Sequence, residues 1–213
     1  ISFRRPKQPN SIVNAMCEYQ AMLDAIRDGF INKARSEIPT DKVERSNHFK
    51  AFGYFSDAAV VGICKLSSNN ILDIPIHNPD ITPLAEALRT RQTKTLASGI
   101  DLIMADLKES MEAPPTTIKG HTHAIVFLYE NPRQIKKSEA GVEWLENALS
   151  HRACLRANET SAVIANYIRL LGFDAKSHSG AASDVDLNQL AVSSGLVWVK
   201  GNHLVAPYIG ANF

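Results

Sequence analysis

Histidine side chains provide the first spacing in this sequence that could support chemistry. His121 and His123 form a His-x-His pair at the start of an apolar run. On a strand, residues two apart point to the same side, so both rings could face one metal ion. Zinc would need a third and a fourth ligand, and the sequence offers none nearby. The pair is therefore interpreted as a polar strand edge, and no metal site is predicted.

The cysteines are the second candidates for chemistry. Cys154 follows His151 by three residues, but the sequence places no acid that would orient the imidazole, so no nucleophile is predicted. Cys64 lies within an apolar run, where it serves as a small hydrophobic residue. With Cys17, these three isolated cysteines match no iron–sulfur spacing. Unpaired thiols suit a reducing compartment, which predicts a cytoplasmic location.

A polar loop over residues 177–183 is the third candidate. It is built of small and polar residues around Gly180, so its backbone could approach a ligand closely. It lacks the lysine of a phosphate-binding loop. The alternative is a plain connection, capped by Ser183 or Asp184 ahead of a helix over residues 185–194.

Composition limits the classes of function. The 213 residues are 45% hydrophobic and 21% charged, which is typical of an ordinary globular protein. A net charge of +1 with scattered basic residues argues against a nucleic-acid partner. No apolar run approaches the roughly 18 residues of a membrane span, so no membrane partner is predicted.

Hydrophobic periodicity predicts helices separated by short apolar strands, which indicates an α/β or α+β sandwich. The predicted helices cover residues 11–36, 41–53, 82–111, 137–155 and 159–171, followed by 185–194. The predicted strands cover residues 58–66, 122–130 and 173–175, with a last strand near the carboxyl end. Gly172 is predicted to end the fifth helix in the left-handed conformation.

Short motifs recur in a fixed order over the last third of the chain. They are residues 168–175 (IRLLGFDA), Leu190-Ala191, Gly195-Leu196, Gly201-Asn202 and residues 207–210 (PYIG). With residues 52–66 (FGYFSDAAVVGICKL) and 123–129 (HAIVFLY) upstream, this order resembles the cobalamin-binding domain of the reductive dehalogenases. It resembles the epoxyqueuosine reductases more distantly.

The resemblance implies a nitroreductase-like α/β (α+β) sandwich. Residues 1–40 would be an arm and a long helix, and residues 41–213 the cobalamin-binding-type domain of a larger parent chain. If cobalamin binding were retained, the resemblance points to five residues as contacts. These are His178, Ser179, Gly180, Gly201 and Asn202. The related catalytic unit would carry cobalamin and 4Fe–4S clusters.

The departures from the family pattern are at the chemical positions. The family's active-site Asn falls at about Ala182, and its proton-donating Tyr falls near Arg156. The glycine-rich turn becomes residues 195–202, with Trp198 and Val199 where glycines would lie against the corrin. Trp198 and His203 are expected to fill the corrin-shaped cavity. We therefore predict no catalytic residue and no cofactor in this chain.

These departures favour a degenerate amino-terminal copy of the domain, acting as a structural or docking module. Its partner would be a following catalytic domain or a homologous subunit, because residues 205–213 form an apolar run that needs a cover. An active corrinoid-binding protein and a flavin-dependent nitroreductase-like enzyme remain open as alternatives.

Overall fold

The computed structural model describes residues 6–90, 118–145 and 148–213. Its helices are α1 (Ile12–Ala25), α2 (Lys42–Phe55), α3 (Ile81–Thr90), α4 (Val142–Leu145), α5 (Ala148–Leu170) and α6 (Leu187–Ser193). Its strands are β1 (Val60–Lys65), β2 (Ile71–Ile76), β3 (His123–Leu128), β4 (Ser183–Val185), β5 (Trp198–Lys200) and β6 (His203–Val205). The predicted mixture of α and β structure is confirmed.

Three antiparallel strand pairs make up the sheets of the described residues. β1 pairs with β3 along its whole length, from Val60 opposite Leu128 to Lys65 opposite His123. β2 pairs with β4, and β5 pairs with β6. The sequence predicted β1 and β3 because they are continuous apolar runs. It missed β2, which contains Pro75, and β4, which is only three residues long.

The first helix ends about ten residues earlier than predicted. Ser11 caps α1 by accepting a hydrogen bond from the backbone N–H of Val13 (3.3 Å). After Ala25 the chain leaves the helix and runs along the end of α5, where Asn32 N–H donates to the Arg169 carbonyl (3.0 Å). The apolar residues of 26–36 are therefore not part of a helix face.

The predicted strand at residues 173–175 is wrong. Its backbone groups bond to other partners instead: Phe173 N–H donates to the Ile168 carbonyl, and the Ala175 carbonyl accepts from Arg169 Nη1 (2.9 Å). These bonds hold the segment against α5. A strand would need those same groups for a neighbouring strand.

Helix boundaries elsewhere differ in three places. Residues 137–141 lie outside helices, and α5 is one continuous helix from Ala148, where two helices were predicted. Asp186 caps α6, with its carboxylate accepting from two backbone N–H groups, whereas Ser183 and Asp184 belong to β4. The helix predicted over 82–111 begins at Ile81, and its second half lies outside the described residues.

The carboxyl end packs onto the β1–β3 pair. Leu204, Ile209 and Phe213 lie against a buried cluster of Leu128, Ala191, Leu196, Val197 and Ala206. Tyr208, by contrast, is fully exposed. The predicted apolar surface of residues 205–213 is therefore covered in part by the chain itself.

Gly172 ends α5 in the left-handed conformation (φ +83°), as predicted. Its N–H donates to the Arg169 carbonyl, and the Phe173 N–H donates to the Ile168 carbonyl. This pair of hydrogen bonds is the Schellman motif. A β-carbon at this position would lie 2.6 Å from the Ala34 carbonyl oxygen. The same glycine therefore provides both the turn and the space for residues 34 and 35.

Gly172→Ala is expected to lower the free energy of unfolding by roughly 3 kcal/mol, from left-handed strain and overlap with the Ala34 backbone. Gly195 is the matched control, because it ends α6 with φ +73° and the same pair of hydrogen bonds but with open space around it. Gly195→Ala should cost only about 1 kcal/mol. Urea unfolding of both variants measures the difference, and equal losses would contradict the close approach of Ala34.

Candidate functional site

A buried carboxylate near the end of α1 joins four parts of the chain. Asp24 Oδ1 accepts hydrogen bonds from Gln20 Nε2 (3.1 Å), Asn158 Nδ2 (2.8 Å) and Ser179 Oγ (2.7 Å). Asp24 Oδ2 accepts from Asn78 Nδ2 (2.8 Å). The donors come from α1, α5, the polar loop and the segment before α3. Burial raises the pKa of Asp24, although all four hydrogen bonds oppose the shift.

A group of paired charges lies beside this carboxylate. Asp184 contacts Arg27 Nη2 through one carboxylate oxygen (3.0 Å) and Lys176 Nζ through the other (2.7 Å). Burial alone would raise the pKa of Asp184, but Lys176 and Arg27 outweigh burial and the net pKa is lowered. The paired cations keep Asp184 ionised in a largely buried position.

His178 lies in the same group but carries no charge. Its Nδ1 is 3.3 Å from the backbone N–H donor of Asp184, and accepting that bond places the imidazole proton on Nε2. Burial lowers the pKa of His178, and the charge of Arg27 lowers it further. The ring is therefore a neutral donor at physiological pH. This tautomer leaves no free nitrogen lone pair for a metal ion.

A cavity of about 690 Å³ lies between β3, α5 and the polar loop. Most of its wall is apolar, and the loop supplies the polar end. Side chains that line it in the described part of the chain include Leu66, Ile118, His121, Ile125, Cys154, Ala157, Ile164, Ile168, Lys176, His178, Ser179, Val185, Leu190 and Phe213. Its volume is that of a pocket for a small molecule, for which roughly 300–1,000 Å³ is usual.

The structure brings together three of the five predicted cofactor contacts. His178, Ser179 and Gly180 all line the cavity. Gly201 and Asn202 form the exposed turn between β5 and β6 and are not among the lining residues. The turn is compact because Gly201 adopts a left-handed conformation (φ +61°).

The prediction that Trp198 and His203 fill the cavity is wrong. Both belong to the β5–β6 hairpin, where Trp198 is 49% exposed and His203 is also exposed. In the described residues the cavity is walled by β3, α5 and the polar loop instead. Trp198, Val199 and His203 of this hairpin are exposed and are not among the described residues that line the cavity.

The two histidines of the His-x-His motif have separate partners. His121 Nε2 lies 3.1 Å from the Asp174 carboxylate, and His123 Nδ1 lies 2.9 Å from the Thr122 hydroxyl. His121 precedes β3 and His123 begins it, and both residues are among those that line the cavity. Within the described ranges, no group of three or more potential metal ligands is found.

Ala182 and Arg156, which the resemblance places near the family's Asn and Tyr, have other roles in this structure. Ala182 is buried in the polar loop. Arg156 pairs with Asp57 and lies 5.4 Å from the centre of the Tyr129 ring. The Tyr129 hydroxyl already bonds to Thr160 and to a backbone carbonyl, and burial raises its pKa. Tyr129 is therefore a packing residue in this structure.

Cys154 lines the cavity but is a poor nucleophile there, because burial raises the pKa of its thiol to about 11. A thiol must ionise before it can attack.

Sequence reasoning missed Asp24, Arg27 and Lys176 entirely, and named Asp184 only as a possible helix cap. A usable signal for one of them was present. Asp24 interrupts the apolar face of α1 four residues after Gln20, and a polar pair at that spacing shares one helix face. The partners of Asp24 from other segments could not be read from spacing alone.

Comparison with known proteins supports a relationship to the reductive dehalogenases. The chain is similar to the solved structure of the catabolic reductive dehalogenase NpRdhA, with a TM-score of 0.67 and 27% identity over 97% of this chain. A variant of that enzyme gives a TM-score of 0.70 over 99% of this chain. A structure described as suggesting a mechanism for B12-dependent dehalogenation gives a TM-score of 0.67 at 27% identity.

The resemblance inferred from the sequence is thus confirmed. The chain spans 24% of the length of these similar proteins. No protein-family model matches the chain, and no curated protein matches it. In the part of the chain that the structure describes, no helix has the length and apolarity to cross a membrane.

The lowered pKa of His178 predicts a loss of stability in acid. Below about pH 6.5 the unfolded chain binds a proton at this imidazole that the folded protein does not, so the free energy of unfolding falls as pH falls. Relative to His178→Gln, the wild type should lose up to about 1.4 kcal/mol per pH unit between about pH 6.5 and about pH 4.5. Urea unfolding across this range measures the difference, and a constant difference would contradict the burial of a neutral ring.

Asp24→Ala is expected to lower the free energy of unfolding by roughly 3 kcal/mol or more, because four buried donors lose their acceptor. Gln20→Met is the matched control, since it keeps the volume of the side chain and removes only one donor. That change should cost about 1 kcal/mol. Thermal and urea unfolding measure both, and a mild Asp24→Ala variant would show that the donors find other partners.

Proposed function

We propose that this chain is a non-catalytic structural or docking module of a reductive-dehalogenase-like oxidoreductase. On this proposal it has the nitroreductase-like fold and is a degenerate copy of the cobalamin-binding domain. The similarity over 97% of the chain supports the relationship, and the 24% coverage of the similar enzymes is consistent with a module of something larger. The observation that carries the non-catalytic role is the arrangement of the five expected cofactor contacts.

Those contacts do not form one surface for a corrin. The His178 Nδ1 atom and the Ser179 hydroxyl are engaged by Asp184 and Asp24, while Gly201 and Asn202 lie in the exposed β5–β6 turn. Cobalamin is much larger than a drug-sized ligand, whereas the cavity has the volume of a small-molecule pocket. The residues present therefore do not fit this cofactor, and no catalytic step is assigned to it.

Exposed apolar side chains support the docking part of the proposal. Nine of them belong to α1, α5 and the segment that follows α1. They are Ile12, Tyr19, Met22, Ile26, Phe30, Ile31, Val163, Tyr167 and Leu170. Asn32 Nδ2 donates to the Leu170 carbonyl (3.1 Å), which keeps the segment after α1 next to the end of α5. Apolar side chains grouped in this way are typical of interfaces. The partner would be a following catalytic domain or a homologous subunit.

A ligand-binding role is the second candidate, and the cavity is the observation that favours it. An active corrinoid-binding protein would have to place the ring against the β5–β6 hairpin. Trp198 and Val199 are exposed there and would hold the ring away from the backbone. A flavin would need cations for its phosphate, yet Arg27 and Lys176 are already paired with Asp184.

The purified protein is expected to show no saturable binding of hydroxocobalamin in equilibrium dialysis up to high micromolar concentration. The physical reason is that the residues for a corrin contact are divided between the polar loop and a separate hairpin. Flavin mononucleotide, dialysed in parallel, tests the flavin alternative. A saturable micromolar or tighter site for either coloured molecule would overturn the proposal and favour the corresponding ligand-binding role.

A further inference from the structure

The cavity between β3, α5 and the polar loop has no role in the proposed docking function. Its walls include Ile125, Ile164, Ile168 and Leu190, so it is mainly apolar. The cavity is partly open to solvent, and its volume of about 690 Å³ lies within the roughly 300–1,000 Å³ that is usual for small-molecule pockets.

Charged side chains at the polar end of the cavity are paired with one another. Lys176 Nζ lies 2.7 Å from the Asp184 carboxylate and 3.9 Å from the Asp28 carboxylate, and Arg27 Nη2 lies 3.0 Å from Asp184. A charged ligand would have to break one of these pairs or remain unpaired in an apolar pocket, and both are costly. The polar end therefore disfavours ions.

His178 differs from its neighbours because it is neutral. Its Nδ1 accepts the backbone N–H of Asp184, so its Nε2 carries the proton, and the side chain lines the cavity. A neutral N–H can donate to an oxygen acceptor without adding a charge to the pocket. Pockets for small molecules typically combine an apolar wall with a few such polar groups.

We infer that this cavity binds a small, uncharged, mainly apolar molecule that carries one hydrogen-bond acceptor, such as an aromatic ketone. The apolar body would lie between β3 and α5, and the carbonyl oxygen would accept from His178 Nε2. This inference goes beyond the docking role and does not depend on it. Binding of hydroxocobalamin would overturn the docking proposal, whereas the probes below test the cavity alone.

Three naphthalenes of similar size provide the test, with fluorescence titration and calorimetry as readouts. 2-Acetylnaphthalene has a neutral acceptor, 2-ethylnaphthalene has none, and 2-naphthoate has a charged one. We expect 2-acetylnaphthalene to bind saturably at one site. 2-Ethylnaphthalene should bind about fivefold more weakly, because it cannot make the one hydrogen bond to His178. The carboxylate should bind at least about tenfold more weakly because its charge is buried without a partner.

Variants connect the binding to this cavity. His178→Leu should lower the affinity for 2-acetylnaphthalene to that for 2-ethylnaphthalene, and His178→Gln should restore it because the amide also donates. Ala157→Phe adds bulk at a lining residue and should weaken both neutral probes, whereas Asn166→Phe on the exposed side of α5 should not. Far-UV circular dichroism checks folding, and if Ala157→Phe fails to fold, the two His178 variants decide.

Several outcomes would overturn the inference. These are no saturable binding of 2-acetylnaphthalene, equal affinities for all three probes, and tightest binding of the carboxylate. An Asn166→Phe loss as large as that of Ala157→Phe would place the probe outside the cavity. The test uses the isolated protein. A partner side chain that fills the cavity in a larger assembly would therefore not change the expected binding of the neutral probes.

Discussion

The buried Asp24 carboxylate is the interaction on which this part of the structure depends. It accepts hydrogen bonds from four side chains that lie as far apart in sequence as Gln20 and Ser179. A buried carboxylate is costly unless its lone pairs are satisfied, and the donors meet that requirement only when all four segments are in place. The position of the polar loop is thereby tied to the position of α1 and α5.

The loop is fixed a second time by the ion pairs of Asp184 and by backbone bonds. The Arg27 carbonyl accepts from the Ser177 N–H (2.9 Å), while the Arg169 guanidinium donates to the Ala175 carbonyl. Burial lowers the pKa of Arg169, and the charges of Asp28 and Asp174 oppose that shift. Its hydrogen bonds to backbone carbonyls hold the guanidinium in place. A loop held by so many internal contacts has few donors left for a large cofactor. It can still offer one neutral group to a small ligand.

The sequence predicted those features that depend on local physics. The apolar runs of β1 and β3, the helix starts at Ser11 and Asp41, and the left-handed Gly172 are all determined within a few residues. Features that depend on distant partners were missed. The segment after Ala25 keeps an apolar composition but is held along α5 by backbone bonds, and no periodicity could reveal that.

The same distinction applies to the candidate site. His178, Ser179 and Gly180 were named because a polar loop has a local signature, and the structure places all three at the cavity. The Asp24 and Asp184 networks were not found, because four donors from four segments have no common spacing in the sequence. Burial also reversed one expectation: an aromatic residue at position 198 was expected inside the cavity, but the hairpin places it outside.

Similarity of fold is compatible with the proposed loss of cofactor binding because different residues control the two. The apolar packing of β1, β3 and α5 sets the path of the backbone, which explains the overlap with reductive dehalogenases over 97% of the chain. The approach of a flat corrin depends instead on a short turn without side chains. Here Trp198 and Val199 belong to a paired hairpin whose hydrogen bonds satisfy that backbone. The hairpin can therefore replace the turn without disturbing the core, and the apolar cavity remains as a space of its own.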